Sequence, residues 1–209
     1  MPLVEIQVAP YEGPLPDLVS QYIEAGQIQV DHFHYLKKGT PYPAFIPSDA
    51  ATVYRSLRTI AETHLATGRR FCEWGSGFGI TAGLASTLDF DACGIEIHAE
   101  LVTEAERLAQ HFNLGVQFVC GSLVPHGGEQ LANQTSDFAW LHPEADDAYD
   151  ELGLEVEDFD LIFAYPWPGE EFAIEDLFER FAATGALLAT YHGVQGMRVQ
   201  RKMASRRRR

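Results

Sequence analysis

Apolar and polar positions change period several times along the chain, and each change marks an element. Phe71-Cys-Glu-Trp-Gly-Ser-Gly-Phe-Gly79 reads as a short apolar strand that runs into a turn, with a helix after it. Asp91-Ala-Cys-Gly-Ile-Glu-Ile97 predicts a second strand. The next helix covers His98 to Phe112, where Leu101, Ala105, Leu108 and Phe112 fall at helical spacing. Val116 to Ser122 predicts a third strand, and Phe159 to Pro168 a fourth strand with its loop. A helix from Glu170 to Phe181 and a fifth strand from Gly185 to His192 complete the series. Strands alternating with helices predict an α/β fold built on a doubly wound, mostly parallel sheet.

The flanks are less periodic. Pro10, Pro14, Pro16, Pro41, Pro43 and Pro47 punctuate residues 1–47, so only Leu18 to Ala25 predicts a short helix there. Ser48 or Asp49 can cap a helix over Ala50 to Leu65, with Val53, Leu57, Ile60 and Ala61 on its inner face. Residues 123–158 form a long acidic insertion before the fourth strand, and Phe138, Trp140 and Leu141 predict that part of it packs. The expected division is an N-terminal extension with capping helices (1–67), a doubly wound sheet domain (68–197) and a basic tail (198–209).

The chemistry concentrates in the glycine turn. Gly75, Gly77 and Gly79 let backbone approach a ligand closely, because glycine has no Cβ and tolerates positive φ. Dinucleotides and S-adenosylmethionine both use such a turn after the first strand of a doubly wound sheet. A dinucleotide fingerprint wants its third glycine at Ile80, one residue later than Gly79. Glu73 at the mouth of the strand would also repel a pyrophosphate, whereas a ligand carrying an ammonium and a sulfonium would be drawn to it. The bland alternative is a turn needed only for strand–helix packing. Glu96, 23 positions after Glu73 and near the end of the second strand, is where a carboxylate holds a ribose diol.

These stations together resemble class I S-adenosylmethionine-dependent methyltransferases over residues 71–122. The resemblance implies a Rossmann-like fold, S-adenosyl-L-methionine as cofactor, and a cofactor site of Glu73, Gly75, Ser76, Gly77, Gly79, Glu96 and Ile97. Many relatives place an Asp at the end of the third strand for the adenine amino group; Gly121-Ser122 stands here, with Leu123 to pack on the ring. The family's sheet usually ends in a further helix and an antiparallel hairpin. Only seventeen residues follow His192, so a shortened sheet of five or six strands is expected.

In open α/β sheets the ligand crevice lies beyond the carboxyl ends of the strands, so the loop Ala164 to Glu171 should flank the acceptor. Methyltransferases of nucleic-acid amino groups have an Asp/Asn-Pro-Pro-aromatic loop there, and Ala164-Tyr-Pro-Trp167 departs from it. Tyr165 and Trp167 could instead wall a cation. Glu170 or Glu171 could attract or deprotonate it, or simply favour the start of the following helix. His192 at the fifth strand's end is a further candidate base. Tyr42-Pro-Ala-Phe-Ile-Pro-Ser-Asp49 resembles small protein-lysine methyltransferases related to those acting on a mitochondrial ATP-synthase subunit. That resemblance implies that Phe45, Ile46, Pro47 and Ser48 cover the methionine end of the cofactor. The expected acceptor is a basic protein side chain (lysine) or a small amine, a class motivated by the acidic body of the chain.

Charge and cysteines refine the picture. The net charge is −15, yet the last twelve residues hold seven Lys/Arg, so the first 197 carry −22. Such a body repels nucleic acid and draws cationic partners, whereas the basic tail could bind RNA, an anionic membrane or the acidic body itself, or be a solvated, mobile tail that aids solubility. An RNA or base methyltransferase recruited by that tail, and an inactive cofactor-binding module, remain the competing readings. Cys72, Cys93 and Cys120 have neither metal-site nor disulfide spacing and are expected to be buried, reduced core residues of a cytoplasmic protein. No signal-like segment opens the chain, and no apolar run approaches the ~18 residues of a membrane span.

Overall fold

The computed structural model describes residues 2–38, 47–133, 141–143 and 145–204. In chain order these form β1 (Leu3–Ile6), α1 (Asp17–Leu36), α2 (Ala50–Glu62), β2 (Arg70–Trp74), α3 (Ile80–Ser86), β3 (Asp91–Glu96), α4 (Ala99–His111) and β4 (Val116–Cys120). There follow α5 (Glu129–Asn133), α6 (Ala148–Leu152), β5 (Leu161–Ala164), α7 (Glu171–Phe181), β6 (Leu187–Tyr191) and β7 (Met197–Lys202). The sheet has seven strands in the order β1-β7-β6-β5-β2-β3-β4. β4, β3, β2, β5 and β6 run parallel, whereas β7 is antiparallel to β6 and β1 antiparallel to β7.

Two layers of helices cover the sheet. α2, α3 and α4 bury Val53, Leu57, Ala82, Ala105 and Ala109 against Phe71, Phe118 and Phe163 on one face. α5, α6 and α7 bury Ala132, Tyr149, Ile174 and Leu177 against Trp74, Ile95 and Ile162 on the other. Both faces of the inner strands are therefore apolar, as a parallel sheet requires. α1 lies outside the first layer, with Val19 and Tyr22 packed on Tyr54, Leu84 and Leu108. Asp49 caps α2, its Oδ1 accepting from the Ala51 and Thr52 amides at 3.1 Å each.

Four expectations are corrected. The sheet has seven strands rather than five or six, because residues 3–6 of the N-terminal extension and 197–202 of the C-terminus each add an antiparallel edge strand. Three of the tail's cations consequently belong to β7. Arg198 pairs with Glu5 and Glu175, Arg201 donates to the Leu65 carbonyl, and Lys202 is buried with its ammonium on the Ala182 carbonyl. Arg206 to Arg209 lie outside the described residues. The third correction concerns Cys120, which is exposed because β4 is an edge strand; Cys72 and Cys93 are buried free thiols. The N-terminal helix is also longer than its prolines suggested, running from Asp17 to Leu36. Among the described residues no helix is long and apolar enough to cross a membrane.

Candidate active site

The glycine turn leaves β2 at the centre of the sheet, beside β3 and β5. Gly75, Gly77 and Gly79 have φ of 70°, 53° and 65°. The Gly75 and Ser76 amides both donate to the Ile95 carbonyl at 2.9 Å, which folds the turn back over β3. Two of the glycines do different work. At Gly75 a Cβ would meet nothing within 4 Å, so this backbone borders open space. At Gly79 a Cβ would overlap the Phe118 ring, so this glycine lets α3 start hard against the sheet.

Two buried carboxylates flank the turn. Glu73 Oε2 accepts from the Ala82 amide at 2.7 Å, in the first turn of α3. Burial pushes the Glu73 carboxyl up to about 8; the bonds from Ala82 and Thr81 oppose that rise and the nearby Glu96 adds to it. Glu96, the last residue of β3, accepts from the Gly77 amide at 2.9 Å with Oε2 and from the His98 amide at 3.0 Å with Oε1. One carboxylate thus ties the glycine turn to the start of α4. Its oxygens retain further lone pairs for a hydroxyl donor.

A cleft opens at the carboxyl edge of these strands, about 1210 Å³ of empty space including the open solvent at its mouth. Of the residues expected at the cofactor, Glu73, Gly75, Ser76, Glu96, Ile97, Gly121, Ser122, Leu123, Pro47 and Ser48 line it together. Gly77 and Gly79 shape the turn without lining the cleft, and Phe45 and Ile46 lie outside the described residues. The Ser76 hydroxyl is buried with no hydrogen-bond partner among the described residues. Ser122 Oγ accepts from the Val124 amide at 3.0 Å, and Ser122 bridges to Asp147, so the acidic insertion is anchored at the end of β4.

The expected acceptor side is the loop after β5. Tyr165, Pro166, Trp167 and Glu170 line the cleft, and Tyr165 meets the Tyr191 ring edge-on at 5.0 Å. Glu170 closes the turn before α7: its amide donates to the Trp167 carbonyl at 2.9 Å, and its Oε2 accepts from the Trp167 amide at 3.0 Å. Its Oε1 is buried without a partner. Burial raises the Glu170 carboxyl above its ordinary value, with Glu171 adding to the rise and the Trp167 amide opposing it. His192 stands apart from this group; its Nε2 lies 2.8 Å from Thr190 Oγ1, and it does not line the cleft.

Several lining residues escaped the sequence reading. Leu141 and His142 come from the insertion; Leu141 is one of the three apolar residues that signalled packing there, and Phe138 and Trp140 lie outside the described residues. Phe78, Ile80 and Leu101 line the cleft from the turn and the two following helices. They are buttressed by α1. Phe33 meets Phe78 edge-to-face at 5.3 Å, Tyr22 donates to the Gly79 carbonyl at 3.3 Å, and Gly26 leaves room for Ile80.

No family model matches the sequence, and no curated protein aligns with it. Solved structures share its architecture. A putative O-methyltransferase from Klebsiella pneumoniae superposes with a TM-score of 0.55 at 13% identity, covering 91% of this chain and 92% of that one. An RNA methyltransferase from Salinibacter ruber, solved with S-adenosyl-L-homocysteine, gives 0.53 at 14% identity over 78% of this chain and 98% of that one. The chain has the fold of S-adenosylmethionine-dependent methyltransferases. An O-methyltransferase from Bacillus cereus, also solved with S-adenosylhomocysteine, gives 0.51 at 14% identity over 85% of this chain and 66% of that one. In this methyltransferase fold the cleft occupies the carboxyl edge at the strand reversal, between β2 and β5, where such sheets hold their ligands.

Proposed function

We propose that the chain is an S-adenosylmethionine-dependent methyltransferase whose acceptor is an amine, either a lysine side chain or a small amine. The cleft has the features the cofactor needs. Bare backbone at Gly75 borders open space, and the Ser76 hydroxyl is an unused donor. Glu96 can accept a ribose diol, and Glu73 lies where a cationic methionine end is favoured. The cofactor supplies a methyl group already activated by its sulfonium, so the protein has to position, desolvate and deprotonate the acceptor.

The observation that carries the amine reading is the Glu170 Oε1, buried at 4% exposure and unpartnered in the cleft beside Tyr165 and Trp167. A buried carboxylate oxygen without a donor costs free energy unless a ligand supplies one, and an ammonium supplies three. Tyr165 and Trp167 favour a cation on their ring faces. The ammonium, with a reference pKa of about 10.4, must lose a proton before it can attack. Glu170 accepts it at Oε1, and its raised carboxyl is a better base near neutrality than an ordinary one. Oε2 stays on the Trp167 amide and holds the base in place.

Titration calorimetry with S-adenosylhomocysteine, on the wild type and on Glu96→Ala, tests the cofactor half. The expected loss of affinity in the variant is roughly tenfold to a hundredfold, for the 1.5–3 kcal/mol of hydrogen bonds to a charged group. Transfer of labelled methyl to amines tests the other half. Glu170→Gln should slow transfer by roughly 10²–10⁴ while leaving S-adenosylhomocysteine affinity unchanged. Wild type that binds the cofactor yet methylates no amine in a lysate would favour the inactive-module reading. Methylation of RNA instead would favour the tail-recruited one.

A further inference from the structure

The negative charge of this chain is concentrated in one stretch of sequence. Residues 123–186, from the end of β4 to the start of β6, contain sixteen Asp/Glu against the single Arg180, a net of −15. The remainder holds fourteen of each sign, so this one stretch accounts for the whole net charge. It builds α5, α6 and α7, which cover one face, while the opposite face under α2, α3 and α4 belongs to the balanced remainder. Asp146, Asp150, Glu151, Glu155, Glu157 and Asp176 are exposed on the acidic side.

Carboxylates alone would describe a well-solvated surface. Two further observations give this one a direction. Phe172, 76% exposed, opens α7 two residues beyond Glu170, with Asp176 and Glu179 following at helical spacing on the same side. An apolar ring heading an acidic stripe suits a chain that combines aliphatic stems with cationic ends. Glu170, whose buried Oε1 is unpartnered in the cleft, immediately precedes α7, so the helix carrying the stripe starts at the cleft mouth.

We propose that this acidic face, from the cleft mouth across α7, is the docking surface for a Lys/Arg-rich protein segment that presents the acceptor side chain to Glu170. The inference rests on the amine reading of the cleft and narrows it from amines in general to a basic protein. A small amine would need only Tyr165, Trp167 and Glu170, and would gain little from a charged face outside the cleft. A basic segment gains at every carboxylate, chiefly in association rate and in selection against anionic partners.

The test is fluorescence anisotropy of the full chain with a short labelled peptide of alternating lysine and glycine, compared with single-stranded RNA of equal length. Asp146, Asp150, Glu151 and Asp176 are changed together to Lys; the control changes Glu12, Glu24, Asp31 and Glu106, all exposed outside the acidic stretch, to Lys. The expected result is peptide binding that weakens with salt, and at least a roughly tenfold loss in the first variant beyond any loss in the control. Should the first variant fail to fold, the matching Asn/Gln set is measured in its place. Equal losses in both variants overturn the inference, since net charge alone would then explain binding. So does preference for the RNA, or a tenfold gain in peptide affinity on deleting Ser205 to Arg209, which would make the chain's own tail the occupant. S-adenosylhomocysteine calorimetry on the same samples separates these outcomes from a failure of the methyltransferase reading.

Discussion

Glu73→Gln is the most informative perturbation of the cofactor turn, because it isolates a buried carboxyl whose ionisation the fold opposes. In the folded chain burial raises this group to about 8, against an ordinary value of 4.5. Between those values the native state holds a proton that the unfolded chain has released. Stability therefore falls as pH rises through the window, by up to about 1.4 kcal/mol per pH unit. Between pH 5.5 and 7.5 the group is mostly protonated when folded and mostly ionised when unfolded, so the stability it contributes should fall by about 2 kcal/mol. Glutamine retains the size and an oxygen for the Ala82 amide but cannot titrate. The assay is urea or thermal unfolding of both proteins across this range without ligand. The wild type should lose about 2 kcal/mol relative to the variant, a change of roughly 4–8 °C in melting difference for a chain of this size. Parallel pH profiles would refute the reasoning, for they would mean that Glu73 is hydrated or ionised already. The same titration has a functional face: the positive charges of S-adenosylmethionine should bind more tightly as pH rises toward 8 and Glu73 ionises, and Glu73→Gln should abolish that trend.

Two further substitutions test the support of the turn. Gly79→Ala places a Cβ against the Phe118 ring at a left-handed residue, and should cost about 3 kcal/mol or more, read as a melting temperature lower by roughly 6–12 °C. Phe33→Ala removes the ring that meets Phe78, and should cost about 3 kcal/mol of stability. It should also weaken S-adenosylhomocysteine binding, because Phe78 lines the cleft; Phe33→Leu, which keeps most of the apolar volume, should restore both calorimetric affinity and melting temperature.

The parts legible in the sequence are those set by local pattern. Apolar runs such as Phe71–Trp74 and Asp91–Glu96 are strands because both of their faces are buried, and that leaves a continuous apolar signal. Gly75 and Gly79 and the two carboxylates Glu73 and Glu96 were readable because a turn with positive φ leaves few residue choices, and strand ends fix where side chains emerge. The Glu96 contact with the Gly77 amide follows from that same order of elements along the chain.

Long-range pairing left no comparable mark. Leu3–Ile6 reads as an unremarkable segment among prolines, and only β7, almost two hundred residues later, makes it a strand. Arg198, Arg201 and Lys202 look like the start of a solvated tail, yet their partners Glu5, Glu175, Leu65 and Ala182 come from four distant places. Cys120 has the same apolar neighbours as Cys72 and Cys93; strand order alone puts it at the exposed edge. Glu170 was the candidate in the sequence, with Glu171 beside it able to play the same part. Tertiary packing separated them by burying one oxygen of Glu170 in the cleft, whereas Glu171 stays at the helix start with an oxygen on the Gly169 amide. Periodicity and turn chemistry are local energies that a few neighbouring residues express, so the sequence determined the strands, the glycine turn and the acidic stations. Which edges close the sheet, which charges share a face and which polar atom is left unpaired depend on desolvation and contact between residues far apart, and only the tertiary structure decided them.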